Sequence, residues 1–461
     1  MKKQAAKERI KNFKEVALGL DEAEAIKEAS RCLFCKKPFC SLKCPVEIDI
    51  PDFINAIKNK DFQKAIEVIK KDNNLPGICG RVCPQEDQCE GACILGKKGT
   101  PINIGALERF AADREMENGS RVTGHGSRLE KEKVAVIGSG PAGLTCAGDL
   151  AKHGYKVTIF EALHTAGGVL VYGIPEFRLP KEIVKKEVDF LKSLGVEVIT
   201  NFIIGKTSTL EELFNKGYKA VFVGTGAGLP SFMKIPGENL NRVYSSNELL
   251  TRANLMKAYL FPDYDTPINI GKNVAVIGGG NTAMDSARVS LRLGARKVYI
   301  VYRRSEKELP ARKEEIENAK EEGIEFHVLT LPKEILGDDK GFVKGMNCIK
   351  MDLGEPDSSG RRRPVPIEGS DFFMDVDTVC VAIGQSPNPV FLSATPGLEL
   401  DRWNKIKVDL KTQATNIEGV YSGGDAACGG DDTVIAAMGA GKKAARSMDK
   451  YLIGLRDKGN G

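Results

Sequence analysis

Val134-Ala135-Val136-Ile137-Gly138-Ser139-Gly140-Pro141-Ala142-Gly143 is a short apolar run that breaks into glycines and then into a helical pattern lasting to Leu150. An apolar run of that length bounded by glycines reads as a buried strand, and the glycines permit the tight turn that leads into a helix. Lys156-Val157-Thr158-Ile159-Phe160 supplies the next strand. The unit recurs downstream as Val274-Ala275-Val276-Ile277, then Gly278-Gly279-Gly280-Asn281-Thr282-Ala283, then Lys297-Val298-Tyr299-Ile300-Val301. Two copies of one strand–loop–helix–strand unit predict an α/β protein with two doubly wound, Rossmann-like domains.

A Gly-rich turn between strand and helix lets backbone approach a pyrophosphate, whose charge meets the helix N-terminus. In the first copy the candidates are Gly138, Ser139, Gly140, Pro141, Ala142 and Gly143. Glu161 ends the following strand, 18 positions after Gly143, where a carboxylate accepts hydrogen bonds from ribose hydroxyls. Glycines alone would be weak evidence and could mark a plain tight turn; with strand, helix and acid all in place they predict a dinucleotide site. In the second copy the candidates are Gly279, Gly280, Asn281 and Thr282. Where the first copy has Glu161, this one has Arg303-Arg304 after Tyr302. Guanidinium groups there suit a 2′-phosphate, which favours NADP(H) over NAD(H), against the alternative of arginines in an ordinary surface loop. Arg312 is a further candidate for the same phosphate. No paired-cysteine motif follows Gly167-Gly168 or falls in the second unit, so electrons from a flavin need another sink.

The cysteines offer one. Eight of the twelve lie between Cys32 and Cys93, as Cys32, Cys35, Cys40, Cys44 followed by Pro45, and as Cys79, Cys83, Cys89, Cys93. Eight thiols are enough for two metal centres, and a proline after the last cysteine of a run is an iron–sulfur habit. Structural zinc is the weaker reading, because tandem C-x2-C pairs are absent. On spacing alone, each group of four takes its own cluster. Cys146, Cys348, Cys380 and Cys428 are scattered and are expected to be core or loop thiols. Around the thiols, Asp21 to Ile26 reads as a capped helix start, and Phe53, Ala56, Ile57, then Phe62, Ala65, Ile66, Ile69, recur at helical spacing with no convincing strand. Gly119 to Ser127 reads as a polar connector, and Glu355 to Pro364 as an exposed turn whose arginines are solvated.

Composition narrows the field. The chain has 461 residues, 42% hydrophobic and 28% charged, with a net charge of +5, which describes an ordinary globular protein and gives no case for nucleic acid. The charged opening Met1-Lys2-Lys3 lacks an apolar core segment, so no secretory signal is expected. Nor does any stretch approach the roughly 18 apolar residues of a membrane span. A cytoplasmic, reducing setting follows, in which clustered thiols bind metal rather than form disulfides.

Cys32 to Pro45, Gly80-Arg81-Val82-Cys83-Pro84-Gln85, Pro101-Ile102-Asn103-Ile104-Gly105-Ala106-Leu107-Glu108 and the two fingerprints, in this order, resemble the small subunit of NADPH-dependent glutamate synthase. They resemble as much or more the large subunit of the electron-bifurcating NADH-dependent ferredoxin:NADP oxidoreductase, and are similar to the N-terminal half of dihydropyrimidine dehydrogenase. The resemblance spans essentially the whole chain. It implies crossed ligation of two 4Fe-4S clusters, one by Cys32, Cys35, Cys40 and Cys93, the other by Cys44, Cys83, Cys89 and Glu108, with Cys79 left over. It implies an FAD lined by Gly167, Gly168 and Arg178. Gly423-Gly424-Asp425 with Thr433 and Val434 would be the returning segment of the FAD domain, Asp425 bonding the ribityl chain and the helix from Thr433 aimed at the isoalloxazine. Ala382-Ile383-Gly384 would be a crossover near the nicotinamide. The implied domains are a helical iron–sulfur domain at 1–125, an FAD domain at 126–260 and 385–461, and an NADP(H) domain inserted at 261–384.

The implied activity is hydride transfer between NADPH and FAD, followed by single-electron steps through the clusters, with no acid–base side chain required. Glu8 to Gly19 resembles the leader of the bifurcating subunit more closely, which implies a partner that is an NAD-binding flavoprotein with an iron–sulfur cluster, and a ferredoxin as a candidate acceptor. As a glutamate synthase small subunit the chain would instead feed a large subunit. Alone it would not make glutamate, since Met1-Lys2 offers no N-terminal cysteine and there is no room for a (β/α)8 domain. A third expectation is an electron-wiring module without its own NADPH turnover, against which stands the intact run Gly278 to Ala283 with Arg303 and Arg304.

Overall fold

Five parallel strands build the first sheet, in the order Val420–Ser422, Tyr218–Val223, Lys133–Ile137, Lys156–Phe160, Glu197–Ile199. The computed structural model describes residues 2–119, 131–357, 360–430 and 432–459. Val134 to Ile137 are buried on both faces of the sheet, the pattern of a central parallel strand, and this is why the run carries no polar alternation. The second sheet repeats the design with Glu325–Val328, Lys297–Tyr302, Asn273–Ile277, Thr378–Val381 and Val243–Ser245, again all parallel. Its edge strand Val243–Ser245 comes from before the boundary expected at 260, because three residues give too short a signal to be read as a strand.

Four antiparallel strands, Thr330–Gly337, Val343–Pro356, Arg362–Pro366 and Phe372–Met374, form a third sheet that the sequence reading did not anticipate. Part of the turn expected at 355–364 is therefore strand. Arg362 and Arg363 are exposed on it, as solvated arginines would be, while residues 358–359 lie outside the described residues. The polar connector lies outside them too, beyond Gly119.

The N-terminal part is helical, with Glu22–Ala29, Ile50–Lys58, Phe62–Asp72, Pro76–Val82 and Ile104–Asn118. Asp21 and Glu24 form a reciprocal capping box at the first of these. One correction is a small ribbon in which Lys2–Lys3 pairs with Ala17–Gly19; strands of two and three residues leave no alternation to detect. This helical part shares one continuous apolar core with the first α/β unit, running from Ala25 through Ile69, Leu107 and Leu144 to Met448 and Leu452. The long helix Val434–Gly459 packs on Pro141–Lys152 and touches Pro76–Val82, so it joins the nucleotide turn to the cysteine region. No helix among the described residues is long and apolar enough to cross a membrane.

Candidate functional site

Backbone closes on backbone at the first turn. A Cβ on Gly143 would lie 2.0 Å from the Gly138 carbonyl oxygen, and one on Gly138, at φ +95°, 2.5 Å from that of Gly224. In front of Gly140 there is open space instead. Gly140 also caps the helix Pro141–Lys152 without a side-chain acceptor, leaving first-turn N–H groups for a phosphate. Glu161 is buried beside this turn. Its Oε2 accepts from the Ser139 amide at 2.9 Å and from the Ser139 hydroxyl, and its Oε1 accepts from the Leu163 amide at 2.8 Å. Carboxylate lone pairs remain for ribose hydroxyls. Ser139 Oγ in turn accepts from the Gly167 amide at 2.9 Å, so Ser139, Glu161 and Gly167 form one unit, and Gly168 rests on Gly140. On the far side Gly424 abuts Ala142. Asp425 carries no ion pair among the described residues, and its pKa is pushed up to about 6, by burial first and by Asp432 second. Thr433 Oγ1 accepts from the Ala436 amide at 3.2 Å and caps the helix beginning at Val434. A cradle of glycines, two buried or half-buried carboxylates and the helix start at Gly140, which has no side-chain cap, fits a flavin dinucleotide.

The second turn is built the same way. A Cβ on Gly278 would lie 2.3 Å from the Ala382 carbonyl oxygen, Gly280 faces open space, and Gly280 caps Asn281–Arg292 without a side-chain acceptor. The Ala382 amide donates to Ile277 at 2.8 Å, as the Gly224 amide donates to Ile137 at 2.8 Å. Ala382 and Gly224 are thus counterparts. Gly224 was missed in the sequence, although the run Ala220-Val221-Phe222-Val223-Gly224-Thr225-Gly226 carries the same signal as the strand end at Ala382 to Gly384. Asn281 Oδ1 accepts from the Arg312 amide at 2.9 Å, which holds the turn against the next loop.

Three of the arginines expected at the nucleotides are engaged by carboxylates. Arg304 is buried and donates to Asp357 at 2.6 Å and to the Arg362 carbonyl at 2.8 Å, so it ties the second sheet to the third. Arg312 reaches Glu86 at 3.2 Å and Gln85 at 3.1 Å, bridging to the cysteine region. Arg178, expected beside the flavin, donates to both oxygens of Asp285 at 2.9 and 2.7 Å and lies 3.4 Å from Glu315. In each case a carboxylate far away in sequence captures the guanidinium. Arg303 alone is exposed and without an ion pair among the described residues, at the end of the strand Lys297–Tyr302. Arg303→Ala is expected to raise KM for NADPH about 10- to 100-fold while leaving KM for NADH unchanged, the loss of one charge-assisted contact. Arg304→Ala should lower thermal stability instead, and steady-state kinetics beside a melting curve separate the two outcomes.

The thiols gather across the two sequence groups. Cys32, Cys35, Cys40 and Cys93 line one hollow with Leu33, Phe39 and Ile94. Burial pushes the Cys40 thiol up to about 11, with Cys93 and Cys32 adding to it. A second gathering holds Cys44, Cys83, Cys89 and Glu108. The Cys44 thiol is pushed up to about 11, by burial first and then by Glu108. Cys83 is raised by its hydrogen bond with Cys79 and by burial, and Cys89 by burial, Glu90 and Glu108. Glu108 is buried, accepts from Asn73 Nδ2 at 2.7 Å and has its pKa pushed up to about 8 by burial. A buried carboxylate among thiols with only an amide donor is what a bound cation would relieve. No three His, Cys, Asp or Glu side chains among the described residues converge on a single-ion site, and all twelve cysteines are free. Spread thiols around a hollow fit a polynuclear cluster. Cys79 is buried at this second gathering, with Sγ 3.4 Å from Met438 Sδ. Asn73 was missed in the sequence, where nothing links it to Glu108.

Residues 9–120 match the family described as dihydropyrimidine dehydrogenase domain II, 4Fe-4S cluster, and residues 132–441 match pyridine nucleotide-disulphide oxidoreductase. The small chain of NADPH glutamate synthase from Azospirillum brasilense is 36% identical over 97% of this chain and 93% of its own length. The chain belongs to the glutamate synthase small-chain family. Its cofactors are those of that family's iron–sulfur flavoproteins, FAD, NADP(H) and 4Fe-4S chemistry. The NADP(+)-dependent formate dehydrogenase subunit beta of Moorella thermoacetica is 41% identical over 90% of this chain, but the chain spans only 60% of that protein's length. Among solved structures, FprA of Mycobacterium tuberculosis in complex with NADPH superposes with a TM-score of 0.59 over 71% of this chain and 86% of its own, at 20% identity, a likeness of fold.

Proposed function

We propose that the chain is the electron-relay subunit of a larger complex, taking reducing equivalents from NADPH and delivering single electrons to a partner through two 4Fe-4S clusters. NADPH supplies a hydride, FAD accepts it, and the clusters carry electrons one at a time. The observation that carries this reading is the position of the second thiol gathering. It lies against the helix that starts beside Asp425, with Cys79 Sγ 3.4 Å from Met438 Sδ and the Pro45 carbonyl so near Gly439 that a Cβ there would lie 2.9 Å away. The first gathering opens at the surface, so the order from flavin to solvent is second group, then first.

In this reading Arg303 holds the 2′-phosphate and the turn Gly278 to Asn281 the pyrophosphate. The turn Gly138 to Gly143 with Glu161 holds the adenosine half of FAD, and Asp425 its ribityl chain. Cys32, Cys35, Cys40 and Cys93 ligate one cluster; Cys44, Cys83, Cys89 and Glu108 ligate the other. The FAD and NADP(H) domains alternate along the chain as the two sheets do, and twelve free thiols suit a cytoplasmic setting. Purified protein is expected to reduce a dye with NADPH about tenfold or more faster than with NADH; equal rates would sink the assignment.

Two partners fit. The leader Glu8 to Gly19 favours the bifurcating ferredoxin:NADP oxidoreductase, whose second subunit is an NAD-binding flavoprotein. The match over 93% of a glutamate synthase small chain favours a large amidotransferase subunit. Copurification from the source cell separates them by the size of the protein that comes with the chain.

A further inference from the structure

The chain crosses from the first α/β unit to the second after Tyr218–Val223 and returns after Thr378–Val381. The two crossings pair with each other as Leu229–Pro230 against Gln385–Ser386, an antiparallel ribbon of two residue pairs. So short a ribbon is marginal by itself and makes a slender hinge. The angle between the units is held elsewhere.

The leader from Lys3 to Ala17 touches all three parts of the molecule. On the second unit, Lys3 Nζ donates to Asn318 Oδ1 at 3.0 Å, and buried Arg9 donates to Glu322 at 2.7 Å and to Glu321 at 2.9 Å. The Asn12 carbonyl accepts from Arg292 at 3.1 Å, and Phe13 stacks on Tyr259 with ring centroids 4.0 Å apart. On the first unit, the Val16 amide donates to the Phe177 carbonyl at 2.9 Å. On the helical part, Glu15 binds Arg81 at 2.8 Å and Arg109 at 3.0 Å. Where the three parts meet, Phe13, Val16, Phe177, Leu250 and Val289 pack into an apolar cluster separate from the cores of the two sheets. Ordering a charged leader costs conformational entropy, which these contacts offset. What they hold is the helix Asn281–Arg292, whose first turn carries the nucleotide glycines and whose Asp285 is tied to Arg178 of the first unit.

We propose that the leader is a clamp that fixes the second α/β unit on the first at the angle hydride transfer requires, with Arg9 and Phe13 as positioning residues. The proposal rests on the relay reading and adds what keeps its two nucleotides in register. Arg9 acts through Glu322 and the arginines of the helix Asn281–Arg292, and Phe13 through Tyr259 and Phe177. In the step they serve, a C–H bond of the reduced nicotinamide breaks, the hydride passes with both electrons to the flavin, and NADP+ is left. A displacement of about 1 Å between reacting atoms costs about 100-fold in rate. A loosened clamp therefore loses rate without losing affinity.

The test uses the intact holoprotein mixed rapidly with NADPH, and reads the limiting rate of flavin bleaching and the half-saturating NADPH concentration. Amide hydrogen exchange at Leu229, Gln385 and Ser386 is read separately, without nucleotide. Arg9→Ala and Phe13→Ala are each expected to cut the limiting rate about tenfold or more, with the half-saturating concentration within about twofold of the wild type. Exchange at the hinge ribbon should speed up about tenfold in both. Arg9→Lys, which keeps a cation for Glu322, should recover most of the limiting rate. Phe13→Ala buries no charge and carries the test should Arg9→Ala fail to fold. An unchanged limiting rate in the folded variants, or an effect confined to the half-saturating concentration, overturns the clamp. So does exchange that quickens evenly along the chain rather than at the ribbon, the mark of a merely structural role. A wild type whose flavin NADPH does not bleach overturns the relay reading instead; ribbon exchange then decides the clamp alone, and an unaltered rate in Phe13→Ala overturns it.

Discussion

Glu322→Ala is expected to destabilise the protein by about 3–5 kcal/mol, the cost of stranding buried charges by removing their partner. The Glu322 side chain has no solvent exposure and accepts from three guanidinium groups, Arg9 at 2.7 Å, Arg288 at 2.8 Å and Arg292 at 2.7 Å. Arg288, itself fully buried, also pairs with Glu315, which lies 3.4 Å from Arg178, and Arg178 pairs with Asp285 at 2.7 Å. One network therefore ties the N-terminal leader, the loop that follows Pro175 and the helices Asn281–Arg292 and Lys313–Glu321. Phe177 lies against it, with the Arg292 guanidinium 3.9 Å from its ring centroid. Denaturant unfolding of the variant reads the loss; a change below about 1 kcal/mol would place the network among exposed ion pairs of little worth.

The same residue sets an acid limit. Burial pushes the Glu322 pKa up, but bonds and charges from Arg292 and Arg288 more than reverse this and bring it from the usual 4.5 down to about 2. A carboxylate with a depressed folded-state pKa stabilises fully above its unfolded pKa and loses that contribution as pH falls through the folded one. Stability should therefore decline from about pH 5 toward pH 2 more steeply in the wild type than in Glu322→Gln, and melting curves across that range give the comparison.

Legibility in the sequence followed locality. Central strands such as Val134 to Ile137 are apolar because both faces are covered, and each glycine turn is set by neighbours a few residues away, so both copies of the fold could be read directly. The edge strand Val243–Ser245 could not, because three residues at a sheet edge show no period. Nor could the fates of Arg178, Arg304 and Arg312. A guanidinium in a Gly-rich nucleotide domain looks like a phosphate ligand until a carboxylate such as Asp285, Asp357 or Glu86 is brought to it from 53 to 226 positions away. The thiol groups failed the same way. Spacing pairs Cys93 with Cys79, Cys83 and Cys89, while the fold sets it in the hollow with Cys32, Cys35 and Cys40; only the family resemblance carried that crossing. Glu322, just past the charged helix Lys313–Glu321, has a side chain without solvent exposure because Arg9, Arg288 and Arg292 close over it.

Glu108→Ala is expected to lose one of two clusters, about four of about eight irons per chain, whereas Cys79→Ala should keep both. The two side chains compete for one place. Both are buried beside Cys83, and Glu108 keeps a single hydrogen bond, from Asn73, while Cys79 Sγ rests on Met438 Sδ. Glu108 is the better ligand on two grounds. It is buried with the Asn73 amide as its donor and with no ion pair among the described residues, and bound iron would supply the cation. The Asn73 amide orients that carboxylate from behind, the task of an outer partner at a metal site. Iron analysis and the low-temperature magnetic resonance spectrum of the reduced protein distinguish the variants, because a site with one oxygen ligand differs from one with four thiolates. Glu108→Cys is the sharpest form of the test. It should retain the full iron content but change that spectrum and shift the potential, leaving flavin bleaching by NADPH intact. Should Cys79→Ala lose the iron and Glu108→Ala keep it, the second cluster is held by thiolates alone, and Asn73 with Glu108 is only a buried polar pair.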